Sequence, residues 1–184
     1  LEEYFIDNYT EIFRRMKDCD HGNVNSLNPY HLEGSVWNHT QMVLDALGAE
    51  TNSTLLLAAL LHDVGKPFVR VIGGDRVWFS GHTGRGTMEA IDIVKDVKAN
   101  LDDFSDANTV YVLNLINLHH LFFNYLLSEI TEGTVRKLYE KLKRFDYEFV
   151  YLLYKLCLAD RRGRLTTTGS DCGRIVRLFS LVNS

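Results

Sequence analysis

The chain has 184 residues, 46% of them hydrophobic and 24% charged, and a formal net charge of −4. That balance describes a globular protein long enough to bury its own core, and excludes a disordered segment or a chain that grips nucleic acid by overall basic charge. Three scattered cysteines (Cys19, Cys157, Cys172) with no Cys-x-x-Cys pair, and no apolar run of the roughly 18 residues a bilayer requires, predict reduced thiols, a cytoplasmic setting, no membrane span and no signal peptide.

Phe5, Tyr9, Ile12 and Met16 recur at helical spacing and predict an amphipathic helix over about Glu2 to Lys17. Cys19 to Glu33 carries Gly22, Asn23, Asn25, Asn28 and Pro29 and reads as loop. Ser35 is placed to cap a helix running to about Leu47, which Gly48 ends, and Asn52 or Ser53 caps the next. That helix contains Leu55-Leu56-Leu57-Ala58-Ala59-Leu60-Leu61, apolar on every face with no β-branched residue, so it is predicted to be buried. His62 and Asp63 sit at its end, and Gly65 and Pro67 are predicted to stop it. The period then changes: Phe68 to Ile72, a Gly73-Gly74-Asp75 turn and Arg76 to Phe79 predict a short hairpin.

Gly81 to Gly86 reads as a glycine-flanked turn, with a helix bearing Ala90, Ile91, Val94 and Val97 close behind it. Further helices are predicted over about Asp106 to His120, through Val135, Leu138, Leu142 and Phe145 with a cap near Thr134, and over about Tyr147 to Ala159. Past Arg161 the pattern loosens until a short apolar tail, Ile175 to Val182. The expected fold is all-α with one hairpin, as a single domain over 1–184 with its core at about 30–163.

Burying His62 and Asp63 without partners would cost several kcal/mol, and a metal ion is the partner that suits such a pair. Other polar residues fall on apolar stripes and point inward. His39 lies with Val36, Val43 and Leu47, Asp160 with Phe149, Leu153 and Leu156, and His119 with Val112 and Ile116. His82 precedes a helix, and His120 is the alternative to His119. Singly, each has an ordinary explanation as a hydrogen-bonded or solvated residue. Jointly they match the way helical bundles build metal sites from inward-facing side chains.

His39, then His62-Asp63, then Asp160 resembles the H…HD…D pattern of the HD-domain metal-dependent phosphohydrolases. The stretch from His31-Leu32-Glu33-Gly34 to His39-Thr40 looks more narrowly like the HD domain of CCA-adding tRNA nucleotidyltransferases. Ala59 to Lys66, Gly81-His82 with Gly86, and Leu158 to Gly163 continue the likeness, which covers about Tyr30 to Gly163. The resemblance implies an HD-domain helical bundle, and a first metal on His39, His62, Asp63 and Asp160. It also places His82 and His119 where two-metal members hold a second ion, with Asp63 bridging. No nucleotidyltransferase domain precedes the stretch here, so polymerase activity is not implied.

Imidazole and carboxylate ligands favour Mn, Fe, Co, Ni or Zn, with Mg admitted if one site alone fills. The expected catalytic residues are Asp63, Lys66 and Arg85, the two cations neutralising phosphate charge. Arg161, Arg162 and the nearby Arg164 form a basic cluster; Arg161 and Arg162 are weaker phosphate candidates. Trp37, Trp78 and Phe79 offer faces to a base, although core packing is their commoner role. The expected function is metal-dependent cleavage of a phosphomonoester or 2′,3′-cyclic phosphodiester on a nucleotide or RNA end. Hydrolysis of free nucleotides (deoxynucleoside monophosphates or dinucleoside polyphosphates) and a noncatalytic nucleotide-binding module are the alternatives. Because the first residue is Leu, a place within a larger RNA-processing protein is a further expectation.

Overall fold

The computed structural model describes residues 1–22, 28–126, 129–166 and 172–183, so residues 23–27 of the predicted 19–33 loop, Asn23 and Asn25 among them, lie outside the described residues. The predicted opening helix is two helices, α1 (Glu2–Asn8) and α2 (Thr10–Asp18). Tyr9 leaves helical geometry at φ −124°, ψ 42°. Its hydroxyl and that of Tyr4 donate to one carboxylate oxygen of Asp96, at 2.7 and 2.8 Å, so a distant side chain fixes the break that periodicity alone could not show.

α3 (Val36–Leu47) starts where Ser35 Oγ accepts from the Asn38 amide at 3.1 Å and ends at Gly48, whose φ of +61° suits a residue without Cβ. α4 (Ser53–Leu61) is capped by Asn52, whose side chain accepts from the Leu55 amide at 2.9 Å. Leu55, Leu57, Leu60 and Leu61 are 0% exposed. Each such side chain contributes about 1.5–3 kcal/mol on leaving water, which is why this run takes the centre.

Beyond Leu61 the chain does not stop as expected. Consecutive tight turns, Val64 N–H to Leu61 O and Lys66 N–H to Asp63 O, lead into a short α5 (Lys66–Val69). Pro67 lies in its first turn, where its fixed φ suits a helix and its missing N–H costs nothing. The predicted strand Phe68–Ile72 is therefore shortened to β1 (Val71–Gly73), paired antiparallel with β2 (Arg76–Trp78) in the register Val71↔Trp78. Gly74 turns the hairpin at φ +58°.

α6 (His82–Asn100) begins at His82 and takes in Gly84 and Gly86, which the sequence assigned to a turn. The reason is contact: a Cβ on Gly65 would lie 2.8 Å from Gly86 Cα, and closer still to the His82 carbonyl oxygen and the Gly86 nitrogen. Only bare backbone on both sides lets α5 and α6 approach so closely. α7 (Thr109–Leu118), capped by Asn108, is shorter than predicted, and His119 and His120 lie in the turn before α8 (Leu121–Asn124). α9 (Glu132–Leu142) is capped by Thr131, with Thr134 in reciprocal support. α10 (Tyr147–Arg162) and α11 (Cys172–Val182) complete the described chain. α3, α6, α7 and α10 all pack on α4, so the architecture is an all-α helical bundle with one two-stranded hairpin. Among the described residues, no helix is long and apolar enough to cross a membrane.

Candidate metal centre

The packing around α4 brings five helix ends to one place. His39 comes from the first turn of α3, His62 and Asp63 from the end of α4, and His82 from the start of α6. His119 follows α7, and Asp160 lies in the last turn of α10. His39, His62, His119 and Asp160 are 0% exposed and Asp63 is 1% exposed.

Asp63 is the centre of the cluster, and its two carboxylate oxygens face different groups. Oδ2 lies 3.7 Å from His39 Nε2 and 3.2 Å from His62 Nε2. Oδ1 lies 3.5 Å from His82 Nε2 and 3.7 Å from His119 Nε2. Asp160 Oδ1 joins the first group at 3.1 Å from His39 Nε2, and the Nε2 atoms of His82 and His119 are 3.4 Å apart in the second.

All four imidazoles are fixed from behind. Their Nδ1 atoms lie against backbone carbonyls: His39 on Gly163 at 3.1 Å, His62 on Ala59 at 2.7 Å, His82 on Phe79 at 2.8 Å and His119 on Ile116 at 2.7 Å. A proton held on Nδ1 leaves the Nε2 lone pair aimed inward, the usual outer support of a metal-binding histidine.

Charge follows the same plan. Burial alone would raise the carboxyls of Asp63 and Asp160, yet Lys66 and His62 hold the first, and Arg164 and His39 the second, well below the ordinary carboxylate range. Burial lowers His82 and His119, keeping both neutral. His39 differs: burial works against its cation, but Asp160 and Glu33 together raise it. Ionised carboxylates beside neutral imidazoles are the donor set that divalent transition ions take.

The residues present fit such an ion. Among the described residues, Asp63 Oδ1 and His62 Nε2 are buried polar atoms without a hydrogen-bond partner, a costly arrangement unless a cation satisfies them. His39, His62 and Asp160 form one set of donors within 4.8 Å of one another, and His82, His119 and His120 form another.

The predicted ligands are thus brought together, and His120 joins His119 rather than replacing it. Lys66 is buried, its Nζ 2.6 Å from Asp63 Oδ2 and 2.9 Å from His21 Nε2. Arg85 is not brought to the cluster. In the helix it pairs with Glu89 at 2.5 Å and stacks over Phe68 at 4.6 Å, so its charge is taken up elsewhere. Arg161 and Arg162 do not line the cavity beside the cluster, and Arg164 alone of the three pairs with Asp160, through contacts of 2.7–2.9 Å.

Sequence reasoning missed His21, His31 and Glu33 as site residues. Glu33 Oε1 lies 2.6 Å from His31 Nδ1 and 3.1 Å from His39 Nδ1, while His21 and His31 stack with centroids 4.1 Å apart. His31 and Glu33 lie in the stretch that carried the family likeness, so their short spacing was a usable signal. His21 lies in an aperiodic loop that offers none. Beside the cluster opens a cavity of about 560 Å³ whose lining includes His21, His31, Lys66, His82 and His120.

A family model of the HD domain matches residues 35–161, from the cap of α3 to one residue past Asp160. The chain belongs to the HD-domain family. The matched stretch contains these two donor sets and Lys66, while a third such group, His21, His31 and Glu33, lies outside it together with Arg164. HD domains generally bind divalent metals and act as metal-dependent phosphohydrolases. Searches of curated proteins and of solved structures returned no match.

Proposed function

We propose that this HD domain hydrolyses a phosphomonoester or a 2′,3′-cyclic phosphodiester on a nucleotide or RNA end, using two divalent transition ions. The observation that carries this reading is the Asp63 carboxylate, buried and turned with one oxygen toward each histidine set. His39, His62, Asp63 and Asp160 would hold one ion, and Asp63, His82, His119 and His120 the other. When bound, such ions supply Lewis acidity toward phosphoryl oxygens and water acidic enough to ionise near neutral pH.

The chain's own residues do the rest. Lys66, held between Asp63 and His21, presents a fixed positive charge at the cavity wall to orient a phosphoryl oxygen. Glu33 steadies His39 and His31 together, so that the ligand and the cavity wall move as one unit. Arg164 keeps Asp160 ionised and oriented from the side facing Phe123. The resemblance to the HD domain of CCA-adding tRNA nucleotidyltransferases supports the cyclic phosphodiester as first substrate. The cavity volume, typical of small-molecule sites, favours free nucleotides as the second reading.

The test is hydrolysis of 2′,3′-cyclic AMP and p-nitrophenyl phosphate with Mn, Ni, Co or Mg added separately, beside Asp63→Ala. Turnover that requires a metal and vanishes in the variant is expected. Turnover only on deoxynucleoside monophosphates or dinucleoside polyphosphates would move the assignment to the second reading. Binding of nucleotide without turnover on any of these would make the domain a noncatalytic module.

A further inference from the structure

A second cavity of about 550 Å³ lies beside the first, and the two share His21 and Asn28 in their walls. Its other lining comes from Gly22, Pro29 and Tyr30 and from the hairpin turn and second strand, Asp75 to Trp78. The hairpin is the one sheet among the described residues, and its side chains are largely turned outward: Val71, Ile72 and Trp78 are all exposed.

Trp78 is nevertheless held in place. A Cβ on Gly73 would lie 2.6 Å from Trp78 Cζ3 and 3.0 Å from Cη2, so the Cζ3–Cη2 side of the ring packs against the bare glycine of the opposite strand. Gly73 does not line the cavity, whereas Trp78 does. The indole is thereby steadied by Gly73, and Trp78 lies in the cavity wall. Asn28 is fixed too, its Oδ1 accepting from the Tyr30 amide at 3.0 Å and its Nδ2 donating to the His21 carbonyl at 3.4 Å. His21 and Asn28 therefore form a common wall between the metal-side cavity and the cavity that Trp78 lines.

We propose that this second cavity is the base subsite of the enzyme, in which the nucleobase of the substrate stacks on Trp78 while its phosphate lies at the metal cluster. Resting on the phosphohydrolase reading, the inference narrows the substrate class to esters carrying a base next to the hydrolysed phosphate. Stacking on an indole tolerates every base, since each has a π face, and Arg76 and Tyr30 at the rim supply further contact to base or ribose. The glycine beside the ring explains why a hairpin follows the ligand helix: it carries one aromatic plate to the edge of the metal cavity.

The chain has two tryptophans, and Trp37 is buried against Phe5 and Phe13, so Trp37 emission reports folding and Trp78 emission reports the subsite. The metal-loaded protein and Trp78→Leu are titrated with AMP, ribose 5-phosphate and inorganic phosphate, following tryptophan fluorescence. AMP is expected to quench wild-type emission saturably, ribose 5-phosphate and phosphate are not, and Trp78→Leu is expected to keep Trp37 emission and lose the response. In hydrolysis, Trp78→Leu should raise KM for 2′,3′-cyclic AMP by about tenfold or more, with kcat and the rate on ribose 5-phosphate within about twofold of wild type. Equal binding of AMP and ribose 5-phosphate, or an unchanged KM in the variant, would overturn the subsite. Absence of hydrolysis on every ester, with AMP still quenching Trp78, would retain the subsite and remove the phosphohydrolase reading.

Discussion

Gly65→Ala is the substitution whose outcome follows most directly from the packing. Gly65 has φ −79° and ψ −20°, a conformation open to any residue. In free space the change would stabilise by about 0.4–1 kcal/mol, through the reduced freedom of the unfolded chain. Here the added methyl meets backbone on α6, at 2.8 Å from Gly86 Cα and nearer to the His82 carbonyl, and backbone cannot rotate aside. Forced overpacking costs about 1–3 kcal/mol, and collision with backbone puts this case at the upper end, so after the gain is subtracted a net loss of roughly 2 kcal/mol is expected. In a chain of this length that lowers Tm by roughly 4–8 °C. The atom struck belongs to His82, so Mn affinity at the His82–His119–His120 group should fall as well. Urea unfolding of the metal-free protein and calorimetric titration with Mn measure the two effects. A variant as stable as wild type, or more stable, would refute the close approach of α5 to α6.

Glu33→Gln removes the carboxylate shared by His31 and His39, and should weaken binding at the His39–His62–Asp160 group by about 10–100-fold, with the other group unaffected; two-phase Mn titration reads this. Burial lowers His31 to about 4 and His120 to about 3, both from near 6.5, so these groups are neutral when folded and protonated when unfolded over that interval. The part of metal-free stability set by these two groups is therefore complete above about pH 6.5 and is lost as pH falls, by on the order of 3 kcal/mol from His31 alone by pH 4; a Tm that stays level between pH 7.5 and 4 would contradict this. Burial pushes the Cys19 thiol up to about 11 and raises Cys157 as well, while Cys172 is only half-buried. Iodoacetamide at pH 8 should accordingly label Cys172 first by mass spectrometry, and equally fast labelling of Cys157 would count against the core as described.

The legible parts of the chain were those where a period meets an exception. His39 and Asp160 interrupt apolar stripes at helical spacing, and α4 is apolar nearly all round, so inward polar side chains and a central helix follow from the pattern alone. Ser35 and Gly48 bound α3 by local chemistry. What stayed hidden depends on contacts between distant segments. Asp96 breaks the first helix through two tyrosine hydroxyls, and Gly86 serves Gly65 across space rather than making a turn. Arg85 was misread for the same reason: once α6 begins at His82, Arg85 and Glu89 stand one turn apart and pair. Lys66 was expected beside the cluster from its place after α4, but its burial between Asp63 and His21 needed the loop that carries His21, which has no periodic signal.

The measurement closest to the central claim is metal content by mass spectrometry after loading with Mn and exhaustive dialysis, for wild type, His62→Ala, His82→Ala and Asp63→Ala. The bridging arrangement predicts two ions per wild-type chain, one in each histidine variant, and both lost or greatly weakened in Asp63→Ala. Folded wild-type protein that retains no metal, or Asp63→Ala that retains both ions, would contradict it.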